Sequence, residues 1–379
     1  MSDRFILFLL VSRWAAAIVA TMYHVRFLLF VNYDAVHDKD LFSKGFYFLT
    51  GLGHESYAVF FILDGILAGL LLRRQSRAAS GRAAVFRHAG SLYRILLPSL
   101  LVGASFDLAG SQLFGATGVY TNFPTLSVLT LSLTALLGNL LMLQPFVVPN
   151  FGSNSMLYLP SYLFWTLILL FAFMRTAGLG KPRARLTQGA LCVAVAFVMP
   201  YQFLIWATIW LAGVAVVFLA EARAFRPPLL LALPLFGGTL VLSRLLGSWP
   251  GMPPEPFGDL IVQGGFGLVG LGFAALAWAL YPRQGRDRQA GLASSANGSA
   301  DGWAGQTASF TFFCHFPVIM LLAAMGSALL DQALKQQPSL ATYMRFGCLV
   351  AASIVAAAIV TRLTSVVTKA MTLKSEVRA

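Results

Sequence analysis

Eleven apolar runs, separated by short polar or basic stretches, leave this 379-residue chain little choice of solvent. They fall near 5–31, 56–72, 95–113, 126–144, 156–174, 188–202, 203–220, 228–246, 259–281, 307–327 and 343–361. A membrane-crossing helix takes roughly 20 apolar residues, so most of these runs are long enough to span a bilayer. In lipid the backbone must satisfy its own hydrogen bonds, which makes helices the expected element. With 58% hydrophobic and 11% charged residues, the chain has too little polar surface for a water-soluble globule of its size. The expected fold is therefore an all-α, polytopic helix bundle, 1–379, with no room for a separate soluble domain.

The net charge of +13 does not point to nucleic acid, because the basic residues lie between apolar runs and form no single face. They sort by side when the N-terminus is placed in the cytoplasm. One inner loop carries Arg73, Arg74, Arg77, Arg82, Arg87 and Arg94. Other inner segments carry Arg175, Lys181, Arg183, Arg185, Arg223, Arg226, Arg283, Arg286 and Arg288, and the outer side has Lys39, Lys44 and Lys335. Three apolar runs separate the inner loops at 73–94 and 175–187, yet only an even number of them crosses. The odd one out is 126–144, rich in Ser, Thr and Leu, with Asn139 and Gln144 inside and Pro145 and Pro149 after it. It is expected to re-enter or to lie along the outer interface, leaving ten spans with both termini cytoplasmic, in a cell's inner membrane. Cys192, Cys314 and Cys348 lie within apolar runs and read as packing residues. The small-residue stretch 285–305 reads as a flexible inner loop, where the sequon at Asn297 would not be glycosylated.

Ionisable groups inside apolar runs are costly and therefore functional candidates. Counted from the inner end of each run, Arg13, Asp64 and His315 fall at one depth, about 13 Å in at 1.5 Å per residue. An Arg13–Asp64 pair at that depth would neutralise both charges. His24 follows Arg13 by eleven residues, about 20° from three full turns, so the two share a helix face about 16 Å apart. Glu55, at the outer start of the second run, is close to His24 in depth and is a candidate to orient it. His37 and His88 receive no role, and no histidine spacing suits a metal. A cation on the cytoplasmic side and a base three turns away suit a reaction carried out across a membrane.

Four patches resemble the membrane-bound acyltransferase 3 family. Arg13 and His24 reproduce its first-span motif of Arg, ten residues, His. Gly53 to Gly65, GHESYAVFFILDG, is similar to its second-span stretch ending Phe-Phe-x-Leu-Ser-Gly, with Asp64 in place of Ser. Arg87, Arg94 and Pro98 resemble its basic approach to the third span, and SFTFFCHFP from Ser309 to Pro317 is similar to Ser-Tyr-x-x-Tyr-Leu-x-His-x-Pro. Where the family reads Trp-Ser-Leu-x-x-Glu after an Asn, this chain has Tyr158 to Leu163 after Asn154, with no acidic residue.

The resemblance implies a ten-span O-acyltransferase that moves an acyl group, usually acetyl, from cytoplasmic acetyl-CoA to an extracytoplasmic or lipid-linked saccharide. It implies His24 as catalytic base and Arg13 as a donor-positioning or charge-stabilising residue. Arg73, Arg87, Arg94 and His315 are the candidates to hold acyl-CoA, without a metal. Asp64, Asn154 and Ser155 are the candidates on the acceptor side. A polytopic transporter or flippase of a glycan or lipid-linked sugar is the alternative, weakened by the lack of a visible internal repeat. A noncatalytic sensor is a further one, because the acidic motif residue is missing.

Overall fold

A computed structural model describes residues 2–75, 81–121, 129–176, 181–222, 226–282, 295–296, 298–300, 302–330 and 334–376. Arg77, Arg223, Arg283, Arg286, Arg288, Asn297 and most of the 285–305 stretch lie outside the described residues. The described residues form helices joined by short turns, with no strand among them: α1 (Ser2–Leu29), α2 (Leu41–Leu49), α3 (Gly53–Gln75), α4 (Gly81–Phe114), α5 (Leu133–Leu140), α6 (Tyr158–Thr176), α7 (Lys181–Val198), α8 (Tyr201–Glu221), α9 (Leu229–Gly247), α10 (Phe257–Leu280), α11 (Trp303–Leu330) and α12 (Leu340–Glu376). Among the described residues, nine candidate spans are long and apolar enough to cross a membrane. The run expected at 188–202 falls on α7, whose first turns carry Lys181, Arg183 and Arg185, and a break at Met199–Pro200 separates it from α8. The chain is thus a multi-pass, all-α membrane protein.

The chain divides into two compact units. The first comprises Met1–Ser12, His54–Leu92 and Leu159–Gly298. Here α10 packs on α9 and α8. The span of α3 is buried all round, as a helix apolar on every face must be when neighbours surround it. Glycine sets how closely α3 meets α8: a Cβ on Gly65 would stand 2.1 Å from the Trp210 carbonyl oxygen, and one on Gly213 would stand 2.3 Å from that of Ile62. Small residues let helix backbones approach closely in lipid. Gly65→Ala therefore forces two backbones apart and is expected to cost about 1–3 kcal/mol, as overpacking does. A clearly lowered thermal midpoint of the purified protein is the result to look for, and an unchanged one would refute the close crossing.

The second unit comprises Arg13–Gly53, Tyr93–Tyr158 and Ser299–Ala379, with α11 packed on α12. Within it the segment expected to re-enter does not form a spanning helix. Its only regular helix among the described residues, α5, has 8 residues, about 12 Å against a hydrocarbon core of about 30 Å. Ser132 caps α5 by accepting from the Ala135 amide. The irregular backbone that follows is paired by buried side chains, as water-poor surroundings require. Asn139 Nδ2 donates to the carbonyls of Ala135 and Pro149 while its Oδ1 accepts from the Phe151 amide. Gln144 Nε2 donates to the Leu157 carbonyl. Asp107 of α4 accepts from both the amide and the hydroxyl of Ser153, at 2.7 and 2.6 Å. Asn139 and Gln144, which mark the run as a poor span in the sequence, are the groups that hold its backbone together.

Candidate functional site

Pro317 lies inside α11 and has no amide hydrogen, so the carbonyl four residues earlier, that of Phe313, loses its helical partner. Asn154 Nδ2 supplies one at 2.9 Å, while Asn154 Oδ1 accepts from the Met156 amide and caps the 3-10 turn Ser155–Leu157. Both ends of this amide are thus engaged in structure. Ser155 differs, since its buried hydroxyl oxygen has no hydrogen-bond partner among the described residues. A buried hydroxyl left this way is an opening for a ligand or a water.

The helix so held is buried along most of its length and presents Ser309 and His315 to α1. Arg13 Nη1 donates to Ser309 Oγ at 3.2 Å, and the two imidazoles, His24 Nδ1 and His315 Nε2, stand 2.8 Å apart. The shared face of Arg13 and His24 anticipated from helical spacing is therefore the face that meets α11. The depth assigned to His315 needs correction, because it stands level with His24 while Ser309 meets Arg13. The pair on α1 is about 16 Å apart along the axis and the pair on α11 about 9 Å, so the helices advance unequally and depth counted from each run's end does not transfer.

Hydrogen-bond geometry assigns the tautomers. His315 Nδ1 lies 2.8 Å from the Thr311 carbonyl, and His24 Nδ1 lies 3.1 Å from the Ala20 carbonyl. Carbonyls only accept, so each Nδ1 carries a hydrogen. A second hydrogen on His315 Nε2 would point at the one on His24 Nδ1, so that nitrogen accepts and His315 is neutral. His24 donates through Nδ1 and keeps its lone pair on Nε2, the arrangement a general base requires. Aromatic edges fix the ring further: Tyr23 and Phe316 pack against His24 at centroid distances of 5.0 and 5.1 Å. Arg13, His24 and His315 are 7%, 4% and 1% exposed, so water competes little for their hydrogen bonds.

Another buried group occupies the first unit. Asp64 Oδ2 accepts from Trp210 Nε1 at 2.8 Å and pairs with His88 Nε2 at 2.9 Å, linking α3, α8 and α4. His88, given no role from the sequence, is thus a partner for a buried carboxylate. Glu55 is buried in the same unit and accepts from Ser243 Oγ at 2.9 Å. Arg73, Arg87 and Arg94 are exposed, and Arg73 lies over the Phe218 ring at 5.8 Å. Among the described residues no group of three His, Cys, Asp or Glu is placed to hold a metal.

The signal for the His24–His315 pair was present in the two motif patches, but nothing in the sequence tied one to the other. No sequence signal singled out Asp107, His88 or Trp210. The fold and these groups define a multi-pass membrane protein with a buried histidine pair and, three turns away on the same helix face, a buried arginine. Compared with known proteins, the chain matches no family model, no curated sequence and no solved structure.

Proposed function

We propose that this protein is a membrane O-acyltransferase that moves an acyl group, acetyl by preference, from cytoplasmic acyl-CoA to a hydroxyl of an extracytoplasmic or lipid-linked saccharide. The observation that carries the reading is the buried pair of His24 Nδ1 and His315 Nε2, 2.8 Å apart, on the face of α1 that also carries Arg13. The motif resemblance adds the donor and the acceptor class.

In this reading His24 Nε2 takes the proton of a sugar hydroxyl as its oxygen attacks the thioester carbon. The C–S bond breaks, an ester C–O bond forms, and the proton passes to the departing thiolate. His315 is a positioning residue, because it acts through the tautomer of His24. The Arg13 guanidinium, about 16 Å from His24 along α1, holds the donor's phosphates rather than the reacting carbonyl. Arg73, Arg87 and Arg94, all exposed, are the candidates for the phosphates of CoA. The unpartnered hydroxyl of Ser155 is the candidate acceptor contact in the second unit, with Asp64 a candidate in the first.

Membranes containing the protein are expected to release CoA from acetyl-CoA only when acceptor glycan is present, and the glycan is expected to gain the mass of an acetyl group. Export of an unmodified glycan without CoA release would replace the proposal with a transporter.

A further inference from the structure

The turn after α1 and the starts of α2 and α12 form a half-open cavity of about 280 Å³, which neither His24 nor His315 lines; its walls include His37, Asp38, Asp40, Phe42, Gln337 and Tyr343. It is built as a fixed receptacle. Beyond the end of α1, the amides of Lys335 and Gln336 donate to the carbonyls of Leu28 and Leu29, at 3.3 and 2.7 Å. Lys335 turns the chain there in the left-handed region, φ 61°. Gln337 then straps the two walls together, accepting from the His37 amide at 3.2 Å and donating to the Ala35 carbonyl at 2.9 Å.

What remains for a ligand is chemically specific. Phe42 is 65% exposed, with its ring set edge-on against Tyr343 at 5.1 Å. Asp38 and Asp40 present carboxylates beside this aromatic corner. The Ser43 side chain and, at 2.7 Å from Oδ1, the Ser43 amide hold the Asp40 carboxyl below its ordinary range. An apolar ring face beside two carboxylate acceptors fits a molecule with a C–H face and a rim of hydroxyl donors. Just below the roughly 300–1,000 Å³ usual for ligand pockets, the volume suits one such ring rather than a chain.

We propose that this cavity is a pyranose subsite, with one sugar ring on Phe42 and Tyr343 and its hydroxyls on Asp38 and Asp40. Its use as the docking point of the acceptor glycan rests on the acyl-transfer reading. The strap that shapes it closes on α1 about 6 Å beyond His24, measured along the helix.

The test is saturation-transfer NMR on the full-length protein in nanodiscs with a panel of neutral methyl pyranosides, D-glucosamine and, as a control, ethylene glycol, alongside transfer kinetics. At least one neutral pyranoside is expected to bind, with an affinity that weakens about tenfold or more in Phe42→Ala and in Asp38→Asn/Asp40→Asn, Asn being able to keep the α2 cap. His24→Ala should still bind the pyranoside but no longer transfer, and Phe42→Ala should raise KM for acceptor with kcat little changed. Binding of glucosamine alone would make the cavity a cation site and overturn the proposal, as would pyranoside binding that survives both variants. Pyranoside binding that Phe42→Ala abolishes, in a protein that never releases CoA, would keep the subsite and discard the transferase reading. Acyl transfer with KM unaltered by Phe42→Ala would do the reverse.

Discussion

His24→Ala is expected to lower acyl transfer about 100- to 10,000-fold, the range that a positioned general base supplies. The substitution removes the nitrogen that accepts the hydroxyl proton and also the donor to His315 Nε2. Expression and fold should survive, because His315 keeps its bond to the Thr311 carbonyl and Val25 and Leu28 of α1 stay in one apolar cluster with Phe316, Ile319 and Met320 of α11. His315 offers the sharper experiment. His315→Leu leaves the His24 Nδ1 hydrogen without that acceptor, so the imidazole is freer to adopt the other tautomer, with Nε2 protonated and useless as a base. kcat should fall while KM for either substrate holds. His315→Gln can place an amide oxygen where Nε2 stood and should restore part of the rate. A merely structural histidine would show no such rescue, and activity retained in His24→Ala at equal expression would end its role.

Much of the architecture was legible because lipid is an exacting solvent. It demands long apolar runs, and the positive loops between them show which run fails to cross. The failure of 126–144 could be inferred from parity and from Asn139 and Gln144, which are awkward in a spanning helix and suited to pairing irregular backbone. The face shared by Arg13 and His24 followed from helical repeat alone. Their partners did not. Ser309 and His315 lie almost three hundred residues away, and no local pattern states which helix stands beside which. The common depth assigned to Arg13, Asp64 and His315 assumed spans of equal tilt, and α1 and α11 do not advance together. Asp64 was visible as a buried charge, but its bond to His88 depends on α3 and α4 meeting in space. The amphipathic α2, with Ser43 and Tyr47 buried and Leu41, Phe42 and Leu49 exposed, falls between the first two apolar runs of the sequence.

Asp107→Ala is expected to be among the most damaging substitutions remote from the chemistry. Asp107 is fully buried in α4, and both its oxygens are committed to Ser153. Gly152 beside it has φ +71°, a left-handed conformation, and a Cβ there would stand 2.4 Å from Asp107 Oδ2, so the backbone approaches the carboxylate as only glycine allows. Removing the carboxylate leaves a buried amide and a buried hydroxyl without their acceptor, at about 1–3 kcal/mol each. The loss travels further, because the next residue, Asn154, satisfies the carbonyl that Pro317 orphans in α11, two residues before His315. Loosening Ser153 should therefore lower thermal stability by about 2–5 kcal/mol and reduce transfer as well. Asp107→Asn, which keeps one acceptor oxygen, should fall between. A cysteine at Ser155 read by a maleimide should label faster in the Asp107→Ala background than alone. Equal labelling with unchanged stability would mean that the segment is held by Asn139 and Gln144 without the carboxylate, and that α11 does not depend on α4 for its alignment with α1.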